Sequence, residues 1–215
     1  MFHVKQRILK KRTGPEVLQS ARKIYSENQA RLEEYIDYLF EWNEKINLVS
    51  RTVSRETVRE HVVHSLIPEA LHLLSSSKNW VDAGSGGGLP GVPLAICKGD
   101  MYWTLNDNVK KKMRAVNDII QRLGLNNADV EAKSISLIDL QRGTGIVTKH
   151  AFKIDDLLRL LNRKKWEEII MWKGAKGAEQ ELHQTREKVS ATIFEFDFGA
   201  DEPFYEGKAI VVLEP

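Results

Sequence analysis

Cysteine is almost absent from this sequence of 215 residues, because Cys97 is the only one. A disulfide framework and a cysteine-rich zinc site are therefore excluded, and a reducing compartment is indicated. Long apolar runs are also lacking: no uncharged stretch approaches the roughly 20 residues that span a bilayer. Residues 1–14 have no apolar core of the kind found in signal peptides. We expect a cytoplasmic protein without membrane contact.

A strong charge of either sign is lacking as well, since the formal net charge is +2. The apolar content of 42% and charged content of 29% are ordinary for a globular domain. Nucleic acid is neither demanded nor excluded, so any basic surface must be local. One basic segment, which includes Lys5 and extends over residues 7–12, precedes Gly14. We expect it to be a solvated end, or an arm that touches phosphates.

Glycine, in contrast, is concentrated in residues 79–93, which read NWVDAGSGGGLPGVP. A short apolar run ends in Asp82, and four of the next six residues are glycine. Glycine serves where the backbone needs positive φ or close approach to a ligand, and Pro90 suits the first turn of a helix. The stretch predicts a strand, a tight turn that binds a ligand, and a helix.

Two kinds of ligand are compatible with this turn. Gly86, Gly88 and Gly91 satisfy G-x-G-x-x-G, and Asp107 follows at the distance of the acid that meets the ribose of a dinucleotide. Residues 82–88 also spell acid-x-G-x-G-x-G, which is typical of methyltransferases that use S-adenosylmethionine (SAM). The spacing alone does not decide between them. A phosphate-binding P-loop is excluded, because no Lys-Ser/Thr pair follows the glycines.

The order of the predicted elements favours the second ligand. Helical periodicity covers residues 16–42 and 54–74, so about 80 residues of helix precede the turn. Strands and helices then alternate, as in a parallel sheet with helices on both faces. The predicted strands are 80–83, 102–106, 128–133, 145–149, 168–173, 192–197 and 208–213, and the helices are 89–97, 109–123, 154–161 and 178–189.

The last two predicted strands are consecutive, which is the layout of a methyltransferase and not of a nicotinamide-dependent oxidoreductase. We therefore predict an α/β protein with the class I SAM-dependent methyltransferase (Rossmann-like) fold, comprising a seven-stranded, mostly parallel sheet and a helical N-terminal extension. The extension covers residues 1–78 and the SAM-binding domain residues 79–215, together forming one compact unit.

From about residue 40 onward the chain resembles the RsmG/GidB family of bacterial 16S rRNA guanine-N7 methyltransferases. The string G-x-G-x-G-L-P-G-V-P is the most specific match. The resemblance is carried by Trp42-Asn43, residues 47–50, His61, Ser65-Leu66, residues 81–94, Leu105, Asp107, Lys111, residues 123–125, Ala151-Phe152 and Lys173-Gly174.

This resemblance implies methyl transfer from SAM to N7 of a guanine in small-subunit ribosomal RNA. Asp107 would hold the ribose hydroxyls, Ile135 and Ser136 would flank the adenine, and His150 would face the methionine part. Asp82 would orient the glycine loop or serve a purely structural role. The predicted cofactor-binding residues are Asp82, Gly84, Ser85, Gly86, Gly88, Leu89, Asp107, Ile135, Ser136 and His150.

The chain departs from the family pattern at four positions, namely His64, Asn108, Ser136 and His150. The last replaces an arginine, a permanent cation, with a residue that is mostly neutral at physiological pH. These departures leave open an alternative, a catalytically altered or retargeted SAM- and RNA-binding relative. His61 and His64 stand one helical turn apart, but no third ligand is evident, so no metal site is predicted.

No catalytic base is assigned, because guanine N7 carries a free lone pair and positioning can supply most of the catalysis. The expected partner is ribosomal RNA or the small ribosomal subunit, bound by a monomer. Cations at a helix start are unfavourable for the helix dipole, so residues 110–114 hint at an external anion, although a solvated surface is the alternative. The predicted RNA-binding residues are Lys110, Lys111, Lys112, Arg114, Lys149 and Lys173.

Overall fold

A single mixed sheet lies at the centre of the fold, which a computed structural model describes for residues 7–74, 77–162 and 164–215. Within these residues the sheet has eight strands in the order β1-β7-β8-β6-β5-β2-β3-β4. The strands are β1 (Arg7–Thr13), β2 (Asn79–Ala83), β3 (Tyr102–Asn106), β4 (Ala128–Glu131), β5 (Thr144–Lys149), β6 (Ile169–Gly174), β7 (Ser190–Phe196) and β8 (Lys208–Glu214).

All strand pairings are parallel except those of β8, which runs antiparallel to both β6 and β7. The chain passes from β2 to β3 and β4 on one side, then returns to place β5 on the other side of β2. The strand order therefore reverses at β2. In open α/β sheets, ligands bind outside the carboxyl ends of the strands at such a reversal.

The prediction of seven strands was wrong by one, because the basic N-terminal segment forms β1. This strand pairs in parallel with β7, from Arg7 opposite Ser190 to Thr13 opposite Phe196. It lies at the sheet edge with most side chains exposed, so it lacks the apolar alternation by which a strand is recognised. Lys10 forms an ion pair with Glu179 at 2.6 Å. The part of the predicted arm that includes Lys5 lies outside the described residues.

Seven helices, counted in the described residues, cover the two faces of the sheet. They are α1 (Pro15–Glu27), α2 (Gln29–Asn43), α3 (Arg55–Ala70), α4 (Gly91–Cys97), α5 (Lys110–Arg122), α6 (Ile154–Leu160) and α7 (Ala175–Gln184). Side chains of α1 to α5 pack on one face, and those of α6 and α7 pack on the other. Successive strand residues alternate between these layers: Trp80 belongs to the first and Val81 to the second. The predicted fold class is confirmed.

The helical layer is built from amphipathic helices, as their periodicity predicts. In α2 the buried residues Leu32, Tyr35, Ile36 and Leu39 recur at helical spacing. The side chain of Ser54 caps α3 by accepting the Thr57 N–H at 3.1 Å. No helix of the described chain combines the length and apolarity needed to cross a bilayer.

Candidate functional site

An open cleft of about 630 Å³ lies at the carboxyl ends of β2, β3 and β5, where the strand order reverses. Its walls come from the loops that follow these strands and from the segment after β4. The cleft is lined by Gly84, Gly86, Asn106, Asp107, Asn108, Val109, Lys112, Lys133, Ser134, Ile135, Lys149, His150, Ala151, Phe152 and Leu160.

The first half of the glycine loop faces this cleft. Gly84 has a φ of 75°, and a Cβ there would lie under 3.0 Å from the Cβ of Ala151, so the loops after β2 and β5 touch. Gly86 has a φ of 58°, and a Cβ there would find no heavy atom within 4 Å. The N–H groups of Gly84 and Ser85 both donate to the carbonyl oxygen of Asn106, at 2.8 and 2.9 Å. The end of β3 thus fixes the start of the loop.

The second half of the loop faces the helical layer. The Tyr35 hydroxyl donates to the Gly87 carbonyl oxygen at 3.0 Å, and both groups are buried. A Cβ on Gly88 would lie 2.6 Å from Cγ2 of Val92 in α4. These glycines are needed for packing against α2 and α4. Ser85, Gly88 and Leu89, which we predicted as cofactor-binding residues, do not line the cleft.

Asp107 follows β3 and lies beside the glycine loop, to which it is hydrogen-bonded. Its Oδ2 accepts the Gly86 N–H at 3.2 Å, and its Oδ1 accepts the Val109 N–H at 2.9 Å. The second of these bonds supports the start of α5, so this carboxylate serves the helix and the loop together. A carboxylate has about four acceptor positions, so Asp107 keeps free ones beside the cleft.

Asp82, at the end of β2, is fully buried and does not line the cleft. Its Oδ2 accepts the Gly91 N–H at 2.9 Å, which fixes the start of α4. Burial raises the pKa of Asp82 to about 7, although this hydrogen bond and the nearby charge of Lys149 oppose the shift. The position fits the structural role that the sequence left open.

Of the two residues predicted to flank the adenine, only Ile135 lines the cleft. Ile135 begins a short 3₁₀ helix (Ile135–Leu137) and lines the cleft. The hydroxyl of Ser136 instead lies 2.8 Å from that of Ser134 and is absent from the lining. Sequence reasoning missed Asn106, whose side-chain amide donates to the carbonyl oxygens of Glu131 and Lys133 at 2.9 and 2.7 Å. Its position as a polar residue at the end of a predicted strand could have indicated that Asn106 lies at the cleft.

The four predicted cations of α5 remain available to an external anion. Lys110, Lys111 and Arg114 are exposed, and we call them the α5 basic face. Lys112 is half-buried and lines the cleft. Within the described ranges, these four side chains make no ion pair with a carboxylate within 4.0 Å. A line of unpaired positive charge therefore runs from the cleft along the start of α5.

The position of Lys149 does not fit the predicted contact with RNA. Its side chain is buried, and its Nζ donates to the His61 carbonyl oxygen at 2.9 Å and lies 3.3 Å from Nδ1 of His61. Burial lowers the pKa of Lys149 to about 7. The ammonium group faces α3, so the loop after β5 is anchored to the helical layer.

Lys173 also differs from expectation, because it is paired. Its Nζ donates to Glu181 at 2.7 Å and to the Phe152 carbonyl oxygen at 3.1 Å. Only 12% of the side chain is exposed. A phosphate would have to compete with a carboxylate already in contact, so Lys173 is a poor general phosphate ligand.

The two unusual histidines occupy different environments. His64 is fully buried among aromatic rings, edge-on to those of Trp172, Phe204 and Tyr205, and burial lowers its pKa well below 6.5. It belongs to the core and not to the cleft. His150 is exposed and lines the cleft with a φ of 58°, and partial desolvation and nearby lysines lower its pKa below 6.5. Both are neutral at pH 7.

The described residues contain no group of three histidine, cysteine, aspartate or glutamate side chains that could hold a metal ion. The architecture around the cleft combines a reversal of strand order, a glycine loop, an acid on the adjacent strand and a terminal antiparallel strand. Together these features define the chain as a class I methyltransferase by fold.

Comparison with solved structures supports this class. An O-methyltransferase from Bacillus cereus in complex with SAH superposes with a TM-score of 0.56 at 13% identity, covering 83% of this chain and 89% of that chain. A methyltransferase from Geobacter sulfurreducens superposes with a TM-score of 0.56 at 15% identity, covering 84% and 90%. At such low identity, these likenesses concern the fold alone.

The family is shown by sequence. The family model of rRNA small subunit methyltransferase G (GidB) matches residues 28–198, and the chain belongs to this family. Ribosomal RNA small subunit methyltransferase G of Chlorobium limicola is 30% identical over 187 residues, covering 84% of this chain and 85% of the relative. The protein of the same name from Chlorobium chlorochromatii is 32% identical over 194 residues, covering 85% and 81%. The predicted family is confirmed.

Proposed function

We propose that this protein transfers the methyl group of SAM to N7 of a guanine in small-subunit ribosomal RNA. The enzyme class, a SAM-dependent methyltransferase of small-subunit ribosomal RNA, follows from family membership. The observation that carries the proposal is that the family match over residues 28–198 contains the whole cleft, including the glycine loop and Asp107.

The cleft residues fit SAM. A cavity of about 630 Å³ lies in the usual range of small-ligand sites, roughly 300–1,000 Å³. The open space beside Gly86 permits close approach of the backbone, and the free acceptor positions of Asp107 suit ribose hydroxyls. Ile135 supplies an apolar wall for the adenine, and His150 would lie toward the methionine end. Asp82, Ser85, Gly88 and Leu89 would shape the loop from behind.

When bound, SAM supplies a sulfonium methyl group that is ready for displacement by a nucleophile. Guanine N7 has a free lone pair, so the chain need not remove a proton before the methyl group is transferred. The work left to the cleft residues is to hold the two reactants in line and to exclude water. The contacts of Asp107 and Asn106 serve this purpose, because they join the glycine loop and the segment after β4 to the end of β3.

The α5 basic face and Lys112 would bind RNA phosphates, which position a nucleic acid without reading its sequence. The substrate would be ribosomal RNA or the small ribosomal subunit, and we place the activity in the cytoplasm. We also propose that residues 1–78 and 79–215 act as one unit and as a monomer. In support, Leu32 and Val58 of the helical layer share a core with Trp103 of the sheet.

The test is transfer of labelled methyl from SAM to small ribosomal subunits taken from cells that lack this protein, followed by nucleoside analysis. We expect 7-methylguanosine with the wild type and at least about tenfold less with Asp107→Ala, since hydrogen bonds to charged groups contribute about 1.5–3 kcal/mol. Asp139→Ala is the matched control, because Asp139 is exposed and lies outside the cleft. SAM binding without any labelled ribosomal RNA would refute the proposal and favour a retargeted relative.

A further inference from the structure

A second cavity of about 340 Å³ adjoins the cofactor cleft. The two share one wall, formed by His150, Ala151 and Phe152. A Cβ added to Gly84 would lie 3.2 Å from Cε2 of Phe152, so this aromatic ring stands next to the glycine loop. A group held in the second cavity would therefore lie beside the cofactor cleft, with Phe152 lining both.

The far wall of this cavity carries a fixed ion pair. Glu181 of α7 accepts the Ile154 N–H at 2.8 Å through Oε2 and the Lys173 Nζ at 2.7 Å through Oε1. Lys173 also donates to the Phe152 carbonyl oxygen at 3.1 Å. The exposed fractions of the two side chains are 12% for Lys173 and 24% for Glu181. Each side chain is hydrogen-bonded to a backbone group, so the orientation of the pair beside the cavity is fixed.

The pair retains hydrogen-bonding capacity on both sides. Lys173 Nζ lies 2.7 Å from each carboxylate oxygen of Glu181, so one of its three N–H groups can be shared between the two oxygens. A second goes to the Phe152 carbonyl oxygen, and a third remains. A carboxylate has about four acceptor positions, and the described contacts leave at least one of them on Glu181 unused. One donor and one acceptor thus remain side by side.

Guanine carries the complementary arrangement, because its O6 acceptor is next to its N1–H donor. Adenine carries the reverse, an amino donor next to the N1 acceptor. Its amino group would face the Lys173 ammonium, and its N1 would face the Glu181 carboxylate, so neither hydrogen bond could form. Such edge contacts, together with stacking on an aromatic side chain, are how proteins read single-stranded RNA bases. Phe152 is half-buried and offers its ring to the same cavity.

We propose that the second cavity holds the target guanine, with Lys173 donating to O6, Glu181 accepting from N1–H and Phe152 beside the ring. This inference rests on the proposed function and names the residues that choose the base. Lys173 and Glu181 are specificity-determining residues in this assignment. Lys173 is paired with Glu181 and also lines a cavity. A base-reading role accounts for both observations, whereas a general contact with phosphate would not require the pairing.

The test compares Glu181→Gln and Lys173→Met with Glu179→Gln. The amide introduced by Glu181→Gln can keep the bond from the Ile154 N–H but cannot accept as a carboxylate. Glu179 lies on the same helix, but it pairs with Lys10 and is outside the cavity. Kinetics are measured on small subunits, with SAM affinity by calorimetry and folding by thermal unfolding. Once the labelled nucleotide has been mapped to its position in the RNA, subunits carrying inosine or adenine there are assayed with the wild type.

We expect each cavity variant to lower kcat/KM about tenfold or more, within the range of roughly 5- to 150-fold that corresponds to loss of one base contact. The SAM dissociation constant should change by less than about twofold, and Glu179→Gln should match the wild type. Inosine, which keeps O6 and N1–H, should be methylated nearly as well as guanine, whereas adenine should be rejected.

Three results would overturn the inference. Unchanged kcat/KM in both folded cavity variants would show that the pair reads nothing. A loss of SAM affinity equal to the loss of kcat/KM would assign the pair to the cofactor site. Rejection of inosine would show that another edge of the base is read. If the wild type labels no ribosomal RNA at all, the proposed function itself fails, and this inference fails with it.

Discussion

Replacing Gly84 by alanine should damage the cleft through two separate physical effects. The residue has a φ of 75°, in the left-handed region that disfavours a side chain. Its Cβ would also lie under 3.0 Å from the Cβ of Ala151, a distance that real Cβ atoms essentially never show. The Cβ of Ala151 is attached directly to the backbone of the loop after β5. The collision therefore cannot be relieved by rotating a flexible side chain.

The expected loss of stability follows from adding these effects. The left-handed conformation costs about 1–2 kcal/mol, and an overpacked contact costs about 1–3 kcal/mol. Their sum, about 2–5 kcal/mol, corresponds to a fall in Tm of about 4–20 °C for a chain of this length, at roughly 2–4 °C per kcal/mol.

Gly124→Ala provides the matched control. Gly124 follows α5 with a φ of 61°, and a Cβ there would meet no heavy atom within 4 Å. It isolates the conformational effect, about 1–2 kcal/mol or roughly 2–8 °C. Thermal unfolding and SAM titration of both variants are the assays, and only Gly84→Ala should weaken SAM binding, by about tenfold or more. Equal Tm values and wild-type SAM affinity in both variants would refute the reasoning.

Three further outcomes are expected. Tyr35→Phe leaves a buried carbonyl of the glycine loop unpaired and should lower the free energy of unfolding by about 1–3 kcal/mol in urea titrations; no change would remove Tyr35 as the support of the loop. Changing the α5 basic face to glutamine should weaken RNA binding and reduce the slope of log affinity against log salt by about 2–3, without altering SAM affinity; an unchanged slope would place the phosphates elsewhere. Hydrogen bonds from Arg59, Tyr25 and Arg55 lower the pKa of Glu33 from 4.5 to about 2. The stabilisation, about 1 kcal/mol after screening, should be complete above pH 4.5 and lost as the pH falls toward 2, so Glu33→Gln should approach the wild type in acid unfolding curves.

The order of strands and helices could be predicted from the sequence because each apolar run carries its own periodicity. Strand β3 was predicted with its exact limits, and the strands from β5 to β8 within two residues at either end. The glycine loop and Asp107 could also be found, since an acid and glycines at strand ends form a local pattern. These features depend on residues close together in the chain.

The edge strand was not predictable in the same way. Strand β1 pairs with β7, whose residues lie about 180 positions further along the chain. Most side chains of β1 are exposed, so its sequence has no apolar face that would indicate a strand. The extended conformation depends on backbone pairing with β7.

The local pattern was sufficient to predict the glycine loop and the fold that carries it. The tertiary structure decided which groups of that loop face the cleft, because α2 and α4 pack against its second half. It also decided the partners of two lysines: the Lys149 ammonium group contacts α3, and that of Lys173 pairs with Glu181. Whether a lysine meets solvent, a carbonyl or a carboxylate depends on what the fold places within about 3 Å of its ammonium group, and no spacing in the sequence encodes that neighbour.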